Sequence, residues 1–554
     1  MKKGLITALF VVTFFALSAA SASAVTSGRV KVGLFYGSDA LFSANLDNSL
    51  DEGFAFGYFD EQREFTDLGH TGETQISMTA AGDIYMSESG AYSRDIPSGG
   101  YRFLGGWHVE LGGYRDFEEA AEAARACGGY PAWISGNYVV RIGSYATQYE
   151  AEAALGQYGG STAVRSASTG ILVTVTRTDR ILFEFDYGGA RNLGVQPQGW
   201  NGQTATWFRG YKYAGAFEYA RVTGGNINVM NIVDIEDYVK GVIPYEMNGN
   251  WPLAALEAQA VCARTFVYGN SKHTTSYGFD VCGSTDCQVY HGLGSGGAGP
   301  SSQSDLAVEN TAGERLYYRG EPVKDAVFHS SDGGATEDSV NVFGGETGYL
   351  IGKQDPYEAQ TSIPNYSYSV TYTTAELSWI LEQKGYSVGT VRDVYIAEYT
   401  PMGNVKKVTF VGSNSTRTVS GDTCRTIFYS STYNKSVRSM RFNINGSSAG
   451  SGGVTAAGGE QLFLAGASVI SGNGVIQTLS GDVFSAISSS GTVTVGGGTG
   501  SQPGSGSSDG NFTITGTGNG HNVGMSQYGA KAMAEQGFTY QDILTFYYTD
   551  ITIR

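Results

Sequence analysis

The stretch from Asp234 to Asn270, "DIEDYVKGVIPYEMNGNWPLAALEAQAVCARTFVYGN", decides how this chain is read. Its second half predicts a buried helix. Pro252 stands where a first helical turn accepts proline, Gly269 where a helix ends, and Leu253, Leu256, Ala260, Ala263 and Val267 fall on one stripe that should face a core. Gln259 and Arg264 flank the stripe, either reaching a cleft at the helix edge or simply solvated, and Cys262 falls opposite it. Just ahead of the helix stands Glu246, among Ile243, Tyr245, Met247 and Trp251. Apolar surroundings raise a carboxyl above its ordinary value of about 4.3, leaving it protonated near neutral pH. That is what a glycosidic oxygen needs from a general acid, although an ordinary loop glutamate has the same spacing.

The chain that carries this stretch opens with Lys2 and Lys3, an apolar run from Leu5 to Leu17 and the small residues Ala22, Ser23 and Ala24, the layout of a cleavable secretory signal over residues 1–24. No later segment approaches the roughly 20 apolar residues of a membrane helix, so the expectation is a secreted, extracytoplasmic protein with no membrane span after cleavage. With 41% hydrophobic and 12% aromatic residues in 554, packed cores and about three or four domains are expected. A net charge of −17 repels phosphates and argues against nucleic acid as a partner.

An internal repeat follows when "WHVELGGYRDFEEAAEAA" from Trp107 is set against "YVVRIGSYATQYEAEAAL" from Tyr138. Each copy reads as an alternating strand, a glycine turn, an aromatic and an Ala/Glu-rich helix, closed by a short strand. Two such units predict a small sheet with both helices on one face and the other free for a ligand. The pattern resembles the sporulation-related repeat domain (SPOR), and the resemblance implies a peptidoglycan-binding module over residues 102–176. Its glycan face would carry Arg141, Ser144 and Tyr145 of "VRIGSY", with Trp107 and Tyr114 from the first copy.

Alternating segments on both sides, such as "GRVKVGLFYG" and "GAFEYARVTGGNINVMNIV", predict half-buried antiparallel strands. The expected class is α+β multidomain: a signal at 1–24, a β-rich region at 25–101, the repeat module at 102–176, and a mixed α/β domain at 177–554. Residues from about 445 to 510 are dominated by Gly, Ser and Thr and read as an insertion from which the chain returns to that domain.

Six motifs then occur in order: "YVKGVIPYEM", "EAQAVCARTF", "CGSTDCQVYHG", "FHSSDGGATEDSVNVFGG", "YLIGKQDPYE" and "GNGHNVGMSQYGAKAMAEQGFTYQDILTFYY". Together they resemble the stage II sporulation protein D and amidase-enhancer family (SpoIID/LytB), from about residue 205 to Arg554. The resemblance implies a lytic transglycosylase that cleaves the N-acetylmuramic acid to N-acetylglucosamine bond of glycan strands lacking stem peptides and leaves 1,6-anhydro ends. Its catalytic glutamate maps onto Glu246. One carboxyl suffices because the sugar's own 6-hydroxyl replaces water as nucleophile, unlike the carboxylate pair of most glycoside hydrolases. Gln259, Arg264, His329, Ser330, His521, Ser526, Gln527 and Tyr528 are the matching substrate-binding candidates, and many family members have Gly where Asn522 stands. "SQYGAKAMAEQG" reads as a helix closed by Gly537, and Thr539 with Asp542 as a capping box.

Cys282 and Cys287, with His273 and His291 nearby, allow a structural zinc, a short-loop disulfide or two plain thiols. The family often has His directly before the second Cys, where this chain has Asp286. No cofactor is required for the chemistry. A wall-remodelling enzyme follows, with an N-acetylmuramoyl-L-alanine amidase as the natural upstream partner and sporulation as one setting. Its rivals are a non-catalytic amidase enhancer and a surface protein that uses both modules only for attachment.

Overall fold

A computed structural model describes residues 25–48, 52–199, 205–222, 225–270, 272–295, 299–444 and 510–554, with six short strands between 453 and 496. The expected signal lies outside the described residues. Among the described residues no helix is long and apolar enough to cross a membrane.

Strands from before and after the repeat module share sheets. A seven-stranded sheet runs in the order Val281–Cys282, Arg29–Phe35, Ile227–Asp234, Ala216–Arg221, Leu193–Pro197, Phe54–Phe59, Phe65–Thr71. Ile227–Asp234 is buried along all but its last residue, which corrects the half-buried alternation expected of it, and its buried Asn231 amide donates to the Ala214 and Ala216 carbonyls. Phe56 of this sheet stacks on Phe183 of a second, ten-stranded sheet at 5.3 Å, and Phe217 meets Phe208 at 5.9 Å, so aromatic pairs join the two. Gly33 lies where any Cβ would stand 2.4 Å from the Phe279 ring. That close approach brings Cys282 alongside it in parallel register.

The repeat folds as two copies of strand, helix, strand: Trp107–Tyr114, Phe117–Cys127, Tyr130–Ile134, then Asn137–Tyr145, Gln148–Ala154, Thr162–Arg165. Asp116 and Thr147 cap the two helices by accepting from the backbone N–H three residues on. Both helices lie over Val109, Val140 and Ile142. The four strands do not end there, because Tyr130–Ile134 pairs in parallel with Ile181–Asp186 and so joins the module to the ten-stranded sheet.

The chain leaves Ile227–Asp234 directly into the helix Ile235–Glu246, capped by Asp234. Glu246 is therefore the last residue of one helix rather than a loop residue ahead of the next. The following helix, Leu253–Gly269, corrects the single-stripe expectation: Ala255, Ala258, Val261 and Cys262 are as buried as Leu256 and Val267. Its alanines let Ile235–Glu246, Ser302–Asn310, Gln527–Glu535 and Tyr540–Tyr547 close around it, and a helix apolar on all sides belongs in a centre. Most of the Gly/Ser insertion lies outside the described residues, apart from the backbone of three hairpins. It departs from Phe442–Ile444 and returns in Asn511–Thr517, which are neighbours in one sheet. A long excursion between paired strands leaves the ladder intact.

Candidate functional site

Glu246 ends its helix half-buried, with Pro244 in the same last turn. Its Oε1 accepts from the Val289 N–H at 3.1 Å and its Oε2 faces Gln527 Nε2 at 3.4 Å. Burial raises its pKa above the ordinary value, and those two donors oppose the rise without cancelling it. A helix C-terminus, carrying partial negative charge, also disfavours a carboxylate.

The wall opposite is built by a short parallel pair, Phe328–His329 with Met525–Ser526. The turn before Met525 demands glycine: Gly524 has φ +74, and a Cβ there would meet the Val327 carbonyl oxygen at 2.0 Å. Ser526 then caps the helix Gln527–Glu535 by accepting from the Gly529 N–H at 3.1 Å, which aligns Gln527 with Glu246. Tyr528 donates its N–H to the Ser330 carbonyl at 3.0 Å and packs its ring 4.8 Å from Trp251. Glu246, Gln527, Tyr528, Ser330 and Trp251 are thus linked through direct contacts. Ser330, Tyr528 and Trp251 are half-buried, whereas Ser526 is buried as a structural cap.

His329 and His521 sit with rings 5.4 Å apart, and Phe343 covers His521 at 5.3 Å. Burial holds both below the ordinary histidine value, His521 at about 4, so both imidazoles are neutral at pH 7. His329 Nδ1 lies 3.1 Å from the Val523 carbonyl, which assigns the proton to Nδ1 and leaves Nε2 as a buried acceptor without a partner among the described residues. Asn522 adopts the left-handed conformation, φ 64, that glycine would supply. Its buried amide compensates, donating to the carbonyls of Asp332 and Ala335 and tying this turn to "SSDGG".

Glu358 beneath these motifs was not singled out from the sequence. Its four donors are Ser331 Oγ (2.6 Å) and the Gly333 N–H (3.0 Å) on Oε1, and the Asp332 N–H (2.7 Å) and Ser526 Oγ (2.6 Å) on Oε2. Asp355 accepts from Tyr547 Oη at 2.6 Å, and Asp332 is pushed well upward by burial and by the charges of Glu358 and Asp355. The signal was the three acidic residues in two quoted motifs, which only the fold brings together.

Two flanking residues of the central helix are not at a cleft edge. Gln259 and Arg264 are both fully buried. Arg264 reaches Glu236 through Nε (2.9 Å) and Nη2 (2.5 Å) and the Glu314 carbonyl through Nη1 (3.1 Å), bolting two helices together. Neither end of the Gln259 amide has a hydrogen-bond partner among the described residues.

All five cysteines are unpaired. Ligand atoms of His273, Cys282, Asp286 and Cys287 lie within 4.8 Å of one another. His273 Nε2 is buried and 3.3 Å from Asp286 Oδ2 yet makes no hydrogen bond among the described residues. A hydrogen bond from Cys287 pushes the Cys282 thiol down to about 4, favouring one thiolate in the pair. His291 is not in this group; it stacks on Tyr211 at 4.4 Å beside Tyr245. The loop after Cys287 is anchored residue by residue: Gln288 accepts from Tyr238 Oη at 3.2 Å, Val289 donates to Glu246, and Tyr290 Oη donates to Asn231 at 2.7 Å.

In the repeat module the helix-free face is not an open platform. Arg141 is buried between Glu110 (3.0 Å) and Glu184 (2.5 Å), and His108 beside it bonds Ser166. Tyr114 and Tyr145 pack on the helix side, and Trp107 and Ser144 are half-buried, with Trp107 opposite Tyr145 in the ladder.

Comparison with known proteins falls on the same region. Residues 223–318, which hold Glu246, the central helix and the Cys282–Cys287 loop, match the family model described as Stage II sporulation protein. The chain is 37% identical over 163 residues to an uncharacterised protein of Brachyspira hyodysenteriae, an alignment covering 29% of this chain and 43% of that one. It is 30% identical over 339 residues to the amidase enhancer of Bacillus subtilis (57% and 40%), and 32% identical over 162 residues to stage II sporulation protein D of the same organism (27% and 46%). The chain thus carries a domain similar to that family while spanning less than half the length of each of these relatives.

Proposed function

We propose that this protein is an extracytoplasmic lytic transglycosylase of the bacterial cell wall, acting on peptidoglycan strands stripped of stem peptides, with Glu246 as its acid and base. The observation that carries the reading is a raised carboxyl held by one backbone N–H and one side-chain amide, with the Trp251–Tyr528 ring pair joined to it through Gln527. Protonated Glu246 gives its proton to the glycosidic oxygen as the bond from muramic acid C1 to that oxygen breaks. Its carboxylate then takes the proton from the 6-hydroxyl of the same muramic acid as that oxygen bonds to C1. The proton is returned, no water is consumed, and a 1,6-anhydro end results. Gln527 steadies the carboxylate between the two steps, and the half-buried rings of Trp251 and Tyr528 suit the apolar faces of sugars.

His273, Cys282, Cys287 and Asp286 fit a structural zinc: two cysteine sulfurs, an imidazole whose Nε2 makes no hydrogen bond among the described residues and a carboxylate, their ligand atoms within 4.8 Å of one another. When bound, the ion would fasten the loop that aims the Val289 N–H at Glu246.

Mass spectrometry of products from denuded and peptide-bearing strands tests the reading. The expected result is 1,6-anhydro fragments from denuded strands only, absent with Glu246→Gln; intact strands with the wild-type protein would overturn it. The similarity to an amidase enhancer across 57% of the chain supports a second reading, a non-catalytic stimulator of an N-acetylmuramoyl-L-alanine amidase. It predicts faster peptide release by purified amidase, unaffected by Glu246→Gln.

A further inference from the structure

Two cavities of about 430 and 420 Å³ are both lined by cations, in a chain whose net charge is −17. In the first the cations are already engaged: Arg425 by Asp422 through two 3.0 Å contacts, Lys384 by the Thr426 carbonyl, Arg438 by the Asn365 carbonyl. The second differs. It opens where the repeat module meets the β-rich region and gathers Arg94, Arg165 and Arg221, with Ser166 and Ser168.

None of those three guanidinium groups has an ion-pair partner among the described residues. Arg221 spends Nη1 on the Gly170 carbonyl at 3.0 Å, while its buried Nε has no partner. Arg94 has a long contact of 3.4 Å to Asn226 Oδ1 and lies 5.9 Å from the Phe42 ring centre. Arg165 ends the strand Thr162–Arg165 and is exposed. The lining's one carboxylate, Asp83, is taken by Arg102 at 3.7 Å and the Gly106 N–H at 3.1 Å. Asp186 lies near enough to act on Arg221 but is held by Thr169 Oγ1 at 2.6 Å. Burial, and after it the neighbouring Arg94, hold Arg221 down to about 10 against the opposing pull of Asp186.

We propose that this cavity binds an oxyanion, and that the oxyanion is the lactyl carboxylate of a muramic acid residue. The choice of ligand rests on the function proposed above. A stem peptide converts that carboxyl into an uncharged amide, and its removal leaves a carboxylate on every muramic acid. Guanidinium groups bind carboxylates through charge-assisted, often bidentate hydrogen bonds, and about 420 Å³ lies within the size range of sugar-sized sites. Two of the three arginines come from outside the repeat, so the site belongs to the junction and not to the module alone. The cavity would therefore tell denuded strands from peptide-bearing ones by charge.

Calorimetric titration of the full chain tests this. The ligands are the GlcNAc–MurNAc disaccharide with a free lactyl carboxylate, the same disaccharide with that carboxyl as primary amide, and inorganic phosphate. The acid should bind at least tenfold more tightly than the amide, weaken with salt, and lose about tenfold in Arg94→Ala and in Arg165→Ala, whose exposed positions spare the fold. Equal binding of acid and amide, or unchanged affinity in both variants, overturns the inference. So does phosphate binding as tightly as the acid, which would mark a phosphate site. If the acid fails to bind while 1,6-anhydro ends still form, this inference falls and the enzyme stands. If it binds while no such ends form, the reverse holds.

Discussion

Two glutamates, 246 and 358, lie on either side of Gln527 and Ser526, and their surroundings are opposite. Glu358 is fully buried and receives four donors at 2.6–3.0 Å; Glu246 is half-buried and receives one backbone N–H and one long amide contact. A buried carboxylate with its lone pairs filled is a strut, because each donor that stabilises the charge also fixes its position. A buried carboxyl left short of donors holds its proton to higher pH and keeps an oxygen to use. The difference teaches that donor count, more than depth, separates the chemical carboxyl from the structural one. The largest expected effects follow directly. Glu246→Gln should cut 1,6-anhydro formation by about 10²–10⁴-fold while leaving the denaturation midpoint nearly unchanged. Glu358→Gln should do the converse, costing about 3 kcal/mol in urea unfolding because donors are left facing an amide that carries no charge. A stability loss at position 246 to match that at 358 would break the comparison.

How much of this was legible in the sequence depended on whether the signal was local. The helix closed by Gly537, the box at Thr539–Asp542 and the two strand–helix–strand copies are written in neighbouring residues, and the structure has them. The strut was not legible, since Asp332, Asp355 and Glu358 are separated in the chain and meet only through tertiary packing. Arg264 misled for the same reason: on a helical wheel it flanks an apolar stripe, and nothing local says that Glu236, one helix back, removes it from solvent. Arg141 of the expected glycan face is another such case: the sheet continues past the module and brings Glu184 beside it.

Effects one step removed from Glu246 sharpen the contrast at smaller scale. The structural zinc proposed for the His273, Cys282, Asp286 and Cys287 group should be released by chelation, detectable by metal analysis, and its loss should lower activity about 10–100-fold, as the Val289 N–H loses its aim. Gln527→Leu should act more gently. Burial already raises Glu246, and Gln527 is one of two groups opposing that rise, so its loss moves the pKa further up. The acid form is complete below that pKa and is lost as pH rises through it. The alkaline limb of the rate profile should therefore shift to higher pH, and a shift to lower pH would show that the amide does not donate to Glu246.

The smallest effect concerns a third buried polar group, the Gln259 amide, which extends the comparison to its limit. Glu358 has every donor it can use, Glu246 has too few, and Gln259 has neither donor nor acceptor among the described residues although fully buried. A buried amide left unpaired costs roughly 1–3 kcal/mol, and an apolar side chain of similar size avoids that cost. Gln259→Leu should therefore be neutral or stabilise the fold by about 1 kcal/mol, read as a rise in the urea midpoint. A loss of more than that would mean that a bound water completes the amide in the free protein.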